Sequence, residues 1–100
     1  MRIADLDEVT FDVEADGEEV RRTISRKAWD RRGWATVAAL YEERTKSGDW
    51  ATKLTIVRLQ RAGDGWKKHA QVTLPGDQAR GVMEMLESHR DALAGVSDDD

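Results

Sequence analysis

The sequence predicts an α+β fold: an antiparallel β-sheet of four to five strands, built as an N-terminal hairpin plus a meander, followed by one C-terminal amphipathic helix packed on one face. Up to residue 75, strand-like runs alternate with Gly-containing turns, and after Pro75 the apolar residues take helical spacing. Trp34, Trp50 and Trp66 recur every sixteen residues, which is one strand plus one turn. Antiparallel order then places Trp34 and Trp66 near one end of the sheet and Trp50 near the other.

The N-terminal hairpin is predicted from alternation and turn chemistry. Val9, Phe11 and Val13 alternate with polar residues, and Asp16-Gly17 is typical of a tight turn because glycine accepts positive φ. The second strand runs from about 19 to 28. One parity of this strand and the residue after it is largely polar and basic: Arg21, Thr23, Ser25, Lys27 and Trp29.

The meander follows in three strands. Residues 34–43 have β-forming side chains, although three alanines leave a helix open as an alternative. Residues 51–61 contain an apolar run on both parities, which indicates a central strand. In the last strand, one parity carries Trp66, Ala70, Val72 and Leu74, and the other carries Lys67, His69, Gln71 and Thr73.

The helix is predicted from the spacing of Ala79, Val82, Met83, Leu86, Arg90 and Leu93. Asp77 suits the N-cap or first turn, and Gly95 suits the C-terminal stop. Gly81 costs about 1 kcal/mol relative to alanine in a helix, so it is expected to mark a close approach to the sheet. The 100 residues predict a single domain with an ordered core over about 8–94 and an acidic tail over 96–100.

The net charge of −4 conceals a strong asymmetry. Residues 1–20 carry −7, residues 21–68 carry +8 and residues 69–100 carry −5. A basic middle favours an anionic partner, whereas neutralisation between segments of the folded chain would produce the same pattern. A further hypothesis is that the acidic ends mask the basic middle, and it predicts that removing residues 1–16 raises nucleic-acid affinity.

Several classes of function lack any motif. The chain has no Cys, no apolar run of about 20 residues and no signal-peptide pattern at its start, which predicts a cytoplasmic protein with no membrane association. The two histidines have no partner at metal-ligand or catalytic spacing, and no nucleophile motif or phosphate loop occurs. We therefore expect no enzyme activity, metal, cofactor or small-molecule substrate.

Aromatic and basic residues are interleaved in the middle of the chain. This combination is typical of proteins that bind single-stranded nucleic acid, because cations follow the phosphates while aromatic rings stack on bases. The candidate binding residues are Arg26, Lys27, Trp29, Arg31, Arg32, Trp34, Trp50, Lys53, Arg58, Trp66, Lys67 and His69. The competing interpretation is that the tryptophans pack in the core and the cations form a solvated sheet face.

Four strands followed by one helix, closing with KKHAQVTLPGDQARGVMEML, resemble the Pur-alpha, whirly and positive-cofactor-four type of single-stranded nucleic-acid-binding domain. The resemblance covers about residues 20–94 and includes the aromatic strand starts Trp34 and Trp50. It implies ssDNA or RNA binding across the sheet by a homodimer, since this chain has one such unit. The acidic net charge and the additional N-terminal strand depart from the pattern. The alternative is a protein–protein interaction or regulatory module that binds no nucleic acid.

Overall fold

A computed structural model describes residues 2–95, and the predicted acidic tail lies outside the described residues. Within the described residues, six strands form one antiparallel sheet in the order β1-β6-β5-β4-β3-β2. The α+β class and the antiparallel sheet with a C-terminal helix are confirmed. The strands are β1 (Arg2–Ile3), β2 (Val13–Ala15), β3 (Glu18–Arg31), β4 (Trp34–Arg44), β5 (Trp50–Ala62) and β6 (Gly65–Pro75), followed by helices α1 (Gly76–Ser88) and α2 (Arg90–Leu93).

The strands differ from the predicted ones mainly at the N-terminus. The first predicted strand shrinks to β2, because residues 9–12 cross over the sheet instead of pairing along its edge. The sequence also gave no signal for β1, which pairs with β6 through only two residues. Residues 34–44 form a strand, so the helical alternative for this segment is wrong.

The core lies between one face of the sheet and the N-terminal segment, and we call this the core face. Its buried residues are Val9, Ala35, Val37, Val57, Leu59 and Trp66, against which Ile3, Leu6 and Phe11 pack. The N-terminal segment contains a 3-10 turn at Leu6–Glu8. After this turn, the ring of Phe11 stacks on Tyr41 with centroids 5.8 Å apart. The acidic N-terminus thus supplies apolar residues as a second layer.

Two bulges decide which side chains reach the opposite face, which we call the outer face. In β3 the register shifts between Thr23 and Ser25, and in β6 an extra residue, His69, separates Ala70 from Lys68. A bulge inverts the side-chain alternation beyond it. The polar parity predicted for each of these strands is therefore divided between the two faces.

Gly65 and Gly76 mark close approaches between backbone segments. A Cβ at Gly65 would lie 2.5 Å from the Ile3 carbonyl oxygen, and one at Gly76 would lie 2.9 Å from the Thr52 carbonyl oxygen. A Cβ at Gly81 would meet nothing within 4 Å, so the prediction that Gly81 marks a close approach to the sheet is wrong. The close approach comes five residues earlier, where α1 leaves the sheet.

Helix α1 lies against β5 and β6 but buries none of its residues. Pro75 occupies the N-cap position without a side-chain hydrogen bond, while Asp77 falls in the first turn. Within residues 2–95, no helix has both the length and the apolar character to cross a membrane.

Candidate nucleic-acid interface

Two rows of side chains cross the outer face at the end of the sheet that holds the β3–β4 turn. Strand register sets Arg31, Trp34, Gln60 and Lys67 side by side in the outermost row. The next row inward contains Trp29, Thr36, Arg58 and Ala70. Since strands lie about 4.8 Å apart, each row is about 14 Å long, and the rows are about 7 Å apart. We call these eight residues, with Lys27 and His69 beside them, the basic-aromatic end.

The two tryptophans of the basic-aromatic end have different surroundings. Trp34 is half-buried, with the Arg58 guanidinium 5.2 Å from its ring centroid and the His69 ring edge-on at 5.1 Å. Trp29 is 49% exposed, and among the described residues the Lys27 ammonium is the only cation over its ring, at 5.8 Å. Trp34 is thus held in place by its neighbours, while Trp29 offers an accessible ring face for stacking.

Three cations of this end, Lys27, Arg58 and Lys67, are available to an anion. Among residues 2–95, no carboxylate forms an ion pair with Lys27, Arg58 or Lys67, and all three are exposed. Arg58 donates a 2.8 Å hydrogen bond to the Thr36 hydroxyl, which fixes its guanidinium on the outer face. The arrangement provides positive charges around one exposed aromatic ring.

Trp50 lies at the opposite end of the outer face, where register pairs it with Arg44. Its ring is flanked by the Arg22 guanidinium at 4.0 Å and the Arg44 guanidinium at 5.1 Å. Glu42 and Glu19 pair with Arg22, and Glu18 pairs with Arg44. The carboxylates neutralise these two arginines, and the guanidinium groups cover the Trp50 ring. Trp50 therefore does not belong to the basic-aromatic end, and its position at the opposite end agrees with the predicted order of the tryptophans along the sheet.

Three predicted binding residues lie on the core face instead. Trp66 is 3% exposed and buried in the core, with the Arg61 guanidinium 5.2 Å from its ring, so no base can reach it. Arg26 donates a 2.6 Å hydrogen bond to the Leu6 carbonyl oxygen beneath the N-terminal segment. Lys53 forms a 2.6 Å ion pair with Glu43. These residues have structural partners and are not part of the candidate interface.

Glu43 is the electrostatic centre of the core face beside Tyr41. Hydrogen bonds from Lys53 and then Arg21 lower the pKa of Glu43 below its ordinary value of 4.5. The same hydrogen bonds, donated to the carboxylate, raise the pKa of Lys53 and of Arg21. On the outer face, the hydrogen bond to Glu42 is the largest cause of the raised pKa of Arg22.

Strand register also shows which further residues lie at the basic-aromatic end and which do not, a distinction that the sequence alone could not make. Arg32 sits in the β3–β4 turn with φ 52°, at the same end of the sheet as the two rows. Thr36 and Gln60 join the rows although no sequence pattern singled them out. Lys68 belongs to the core face, where it donates a 3.1 Å hydrogen bond to Gln71.

The described part of the chain contains no group of three or more His, Cys, Asp or Glu residues that could hold a metal ion. The candidate interface consists of cations, aromatic rings and neutral polar side chains. No protein-family model, curated protein or solved structure matches the chain.

Proposed function

We propose that this protein binds single-stranded nucleic acid, DNA or RNA, at the basic-aromatic end of its outer face. The observation that carries the proposal is the half-exposed ring of Trp29 on the same end of the sheet as Lys27, Arg58 and Lys67, which form no ion pair with a carboxylate of residues 2–95. Stacking of one base on an aromatic side chain contributes about 1–3 kcal/mol, and it needs an open ring face. A duplex hides its base faces, which favours a single strand as the ligand.

Each side chain has a distinct part in the proposed complex. Trp29 stacks on a base, while Lys27, Arg58 and Lys67 contact phosphates. His69 and Arg58 keep the Trp34 ring upright, which leaves the ring edge and the polar groups of Thr36 and Gln60 for hydrogen bonds to bases. The proposal includes neither catalysis nor a cofactor.

The first test is a titration of a fluorescein-labelled, mixed-sequence 20-mer with the protein, followed by anisotropy at several salt concentrations. We expect binding that weakens with salt, quenches tryptophan fluorescence and exceeds binding to the matching duplex. An RNA strand of the same sequence, used as competitor, measures the preference between the two nucleic acids. Absence of single-strand binding at low salt would reject the proposal and favour a protein-interaction module.

The second test assigns the binding to this face. Trp29→Ala should raise Kd by about 5- to 150-fold, the equivalent of one lost stacking interaction, while Trp29→Phe should retain most of the affinity. An equal affinity for wild type and Trp29→Ala would place binding elsewhere on the molecule.

Adjacent lysines of β6 give a matched charge control. Lys67 lies on the outer face and Lys68 on the core face, so the two differ in location but not in residue type. Lys67→Ala should reduce the slope of log K against log salt by about 0.7, the value of one phosphate contact to a single strand. Lys68→Ala should leave the slope unchanged, and the opposite result would move the proposed interface to the core face.

A further inference from the structure

Many large hydrophobic side chains of the described residues are exposed to solvent. Eight hydrophobic residues are buried, whereas nine large hydrophobic residues are exposed. Leu40 is 39% and Val72 50% exposed on the outer face, and Met83, Leu86 and Leu93 are 59%, 42% and 64% exposed on the helices. An apolar surface this extensive on a small domain indicates an interaction site.

The exposed residues form two surfaces. The first is an apolar band across the outer face, directly inward from the basic-aromatic end. Register aligns its members in two rows: Ala38, Leu40, Leu54, Ile56, Val72 and Leu74. The second is a helix stripe, on one side of α1 and α2. It consists of Ala79, Val82, Met83, Leu86 and Leu93.

A single chain leaves both surfaces incompletely covered. Only Ala79 and Val82 of the helix stripe are half-buried, so the stripe is most covered near the start of α1. The described residues measure 47 × 39 × 17 Å, with a radius of gyration of 15.6 Å compared with about 13 Å for a compact 100-residue domain. The molecule is a thin plate, whereas a stable domain needs two packed layers over its apolar area.

We infer that the protein forms a two-fold homodimer in which the helix stripe of each copy packs on the apolar band of the other. One chain carries both surfaces, and a two-fold axis satisfies both in a single closed assembly. The pairing is independent of nucleic-acid binding, and it leaves the basic-aromatic end at the border of the interface.

Charge favours helix-on-sheet packing over helix-on-helix packing. Residues 76–95 contain four acidic residues and two arginines, so two such helices side by side would repel each other. The outer face beside the apolar band instead carries cations, with Lys27 in the row of Ala38 and Arg58 in the next row. Acidic residues flanking the stripe would meet these cations in the dimer.

Sedimentation equilibrium between 1 and 100 μM, concentrations that flank the expected Kd of a modest interface, tests the assembly. We expect twice the 11.3 kDa mass of the chain. Met83→Glu on the helix stripe should raise the dimer Kd by about 30-fold or more, because it buries a charge in an apolar contact. A wild-type protein that is monomeric at 100 μM would overturn the inference.

Met85 provides the matched control. It is 56% exposed, close to the 59% of Met83, but helical spacing places it off the stripe. Met85→Glu should leave the dimer Kd within about twofold of wild type, since an exposed charge costs little. Far-UV circular dichroism verifies that both variants fold. Equal effects of the two substitutions would contradict the assignment of the stripe.

A complementation experiment distinguishes the pairing geometry. Leu40→Glu, on the apolar band, should also dissociate the dimer. A mixture of Met83→Glu and Leu40→Glu chains should then form a heterodimer more tightly than either variant forms a homodimer, because one helix–sheet contact is intact in the mixture. Helix-on-helix packing predicts no such rescue, so a mixture that remains monomeric would overturn the helix-on-sheet assignment.

Discussion

Glu43 illustrates how a single carboxylate organises one region of the core face. It accepts hydrogen bonds from Lys53 and Arg21, and the Arg21 guanidinium lies 5.0 Å from the Tyr41 ring centroid. Tyr41 in turn stacks on Phe11 of the N-terminal segment. Loss of the Glu43 carboxylate would leave two cations close together, so its ionisation is coupled to the stability of the fold.

Glu43→Gln should lower the free energy of unfolding at pH 7. The pKa of Glu43 is lowered in the folded state, so its stabilising contribution is complete above the ordinary value of 4.5 and is lost as pH falls through the lowered pKa. The difference between wild type and variant should therefore be largest at neutral pH and shrink below about pH 4.5. Urea unfolding from pH 3 to 7 measures it, and a difference that grows with acidification would contradict this account.

The four tryptophans show where sequence reasoning stops at the residue scale. Trp66 is 3% exposed and Trp29 is 49% exposed, although both belong to strands with an apolar–polar alternation. The sixteen-residue spacing correctly placed Trp34 and Trp66 at one end of the sheet and Trp50 at the other. It could not assign them to a face, because the face depends on register and on bulges.

At the scale of the elements, the order of strands and helix was predictable, and the two strand bulges were not. Runs of β-forming residues between Gly-containing turns identify β3 to β6, and the change to helical spacing identifies α1. The bulges at Ile24 and His69 arise from long-range pairing with β4 and β5. Neither residue type marks a bulge. Trp66 therefore lies on the opposite face from Val72, and Lys67 on the opposite face from Gln71, although simple alternation groups each pair on one face.

Two glycine substitutions test the packing of elements against each other. Gly65→Ala would bring a Cβ against the backbone of Ile3 and should lower the free energy of unfolding by about 1–3 kcal/mol. Gly81→Ala has open space around it and should stabilise α1 by about 0.5–1 kcal/mol, because alanine is the better helix former. Denaturant unfolding of both variants measures the contrast, and stabilisation by Gly65→Ala would show that β1 does not pack on Gly65.

At the scale of the whole molecule, the acidic N-terminal segment contributes apolar residues to the core, although charged residues dominate its composition. It places Val9 in the core and packs Leu6 and Phe11 against it, while Asp7 pairs with Arg26 at 3.8 Å. These contacts are on the core face, opposite the basic-aromatic end. Removal of residues 1–16 would therefore expose core residues, and any gain in nucleic-acid affinity would be mixed with loss of the fold.

Charge and packing can be separated in this segment. Removing residues 1–16 should lower the free energy of unfolding by about 3 kcal/mol or more, measured by urea unfolding, because several apolar side chains leave the core. Asp5→Asn, Asp7→Asn and Glu8→Gln together keep those side chains. At 0.15 M salt, where the screening length is about 8 Å, this variant should bind the 20-mer within about twofold of wild type. A large gain in affinity would instead support masking of the basic middle by the acidic end.

The bulge at His69 also determines how this chain tolerates changes in length. Replacement of His69 alters one side chain, whereas its deletion would join Lys68 to Ala70 and restore uninterrupted alternation through β6. Trp66 would then remain on the core face and Lys67 on the outer face, because Lys68 and Ala70 already pair with the adjacent residues Leu59 and Arg58. Related chains that lack one residue between Lys68 and Ala70 should therefore keep the same residue types on both sides of the gap, so an alignment gap here would mark a lost bulge without an exchange of inside and outside.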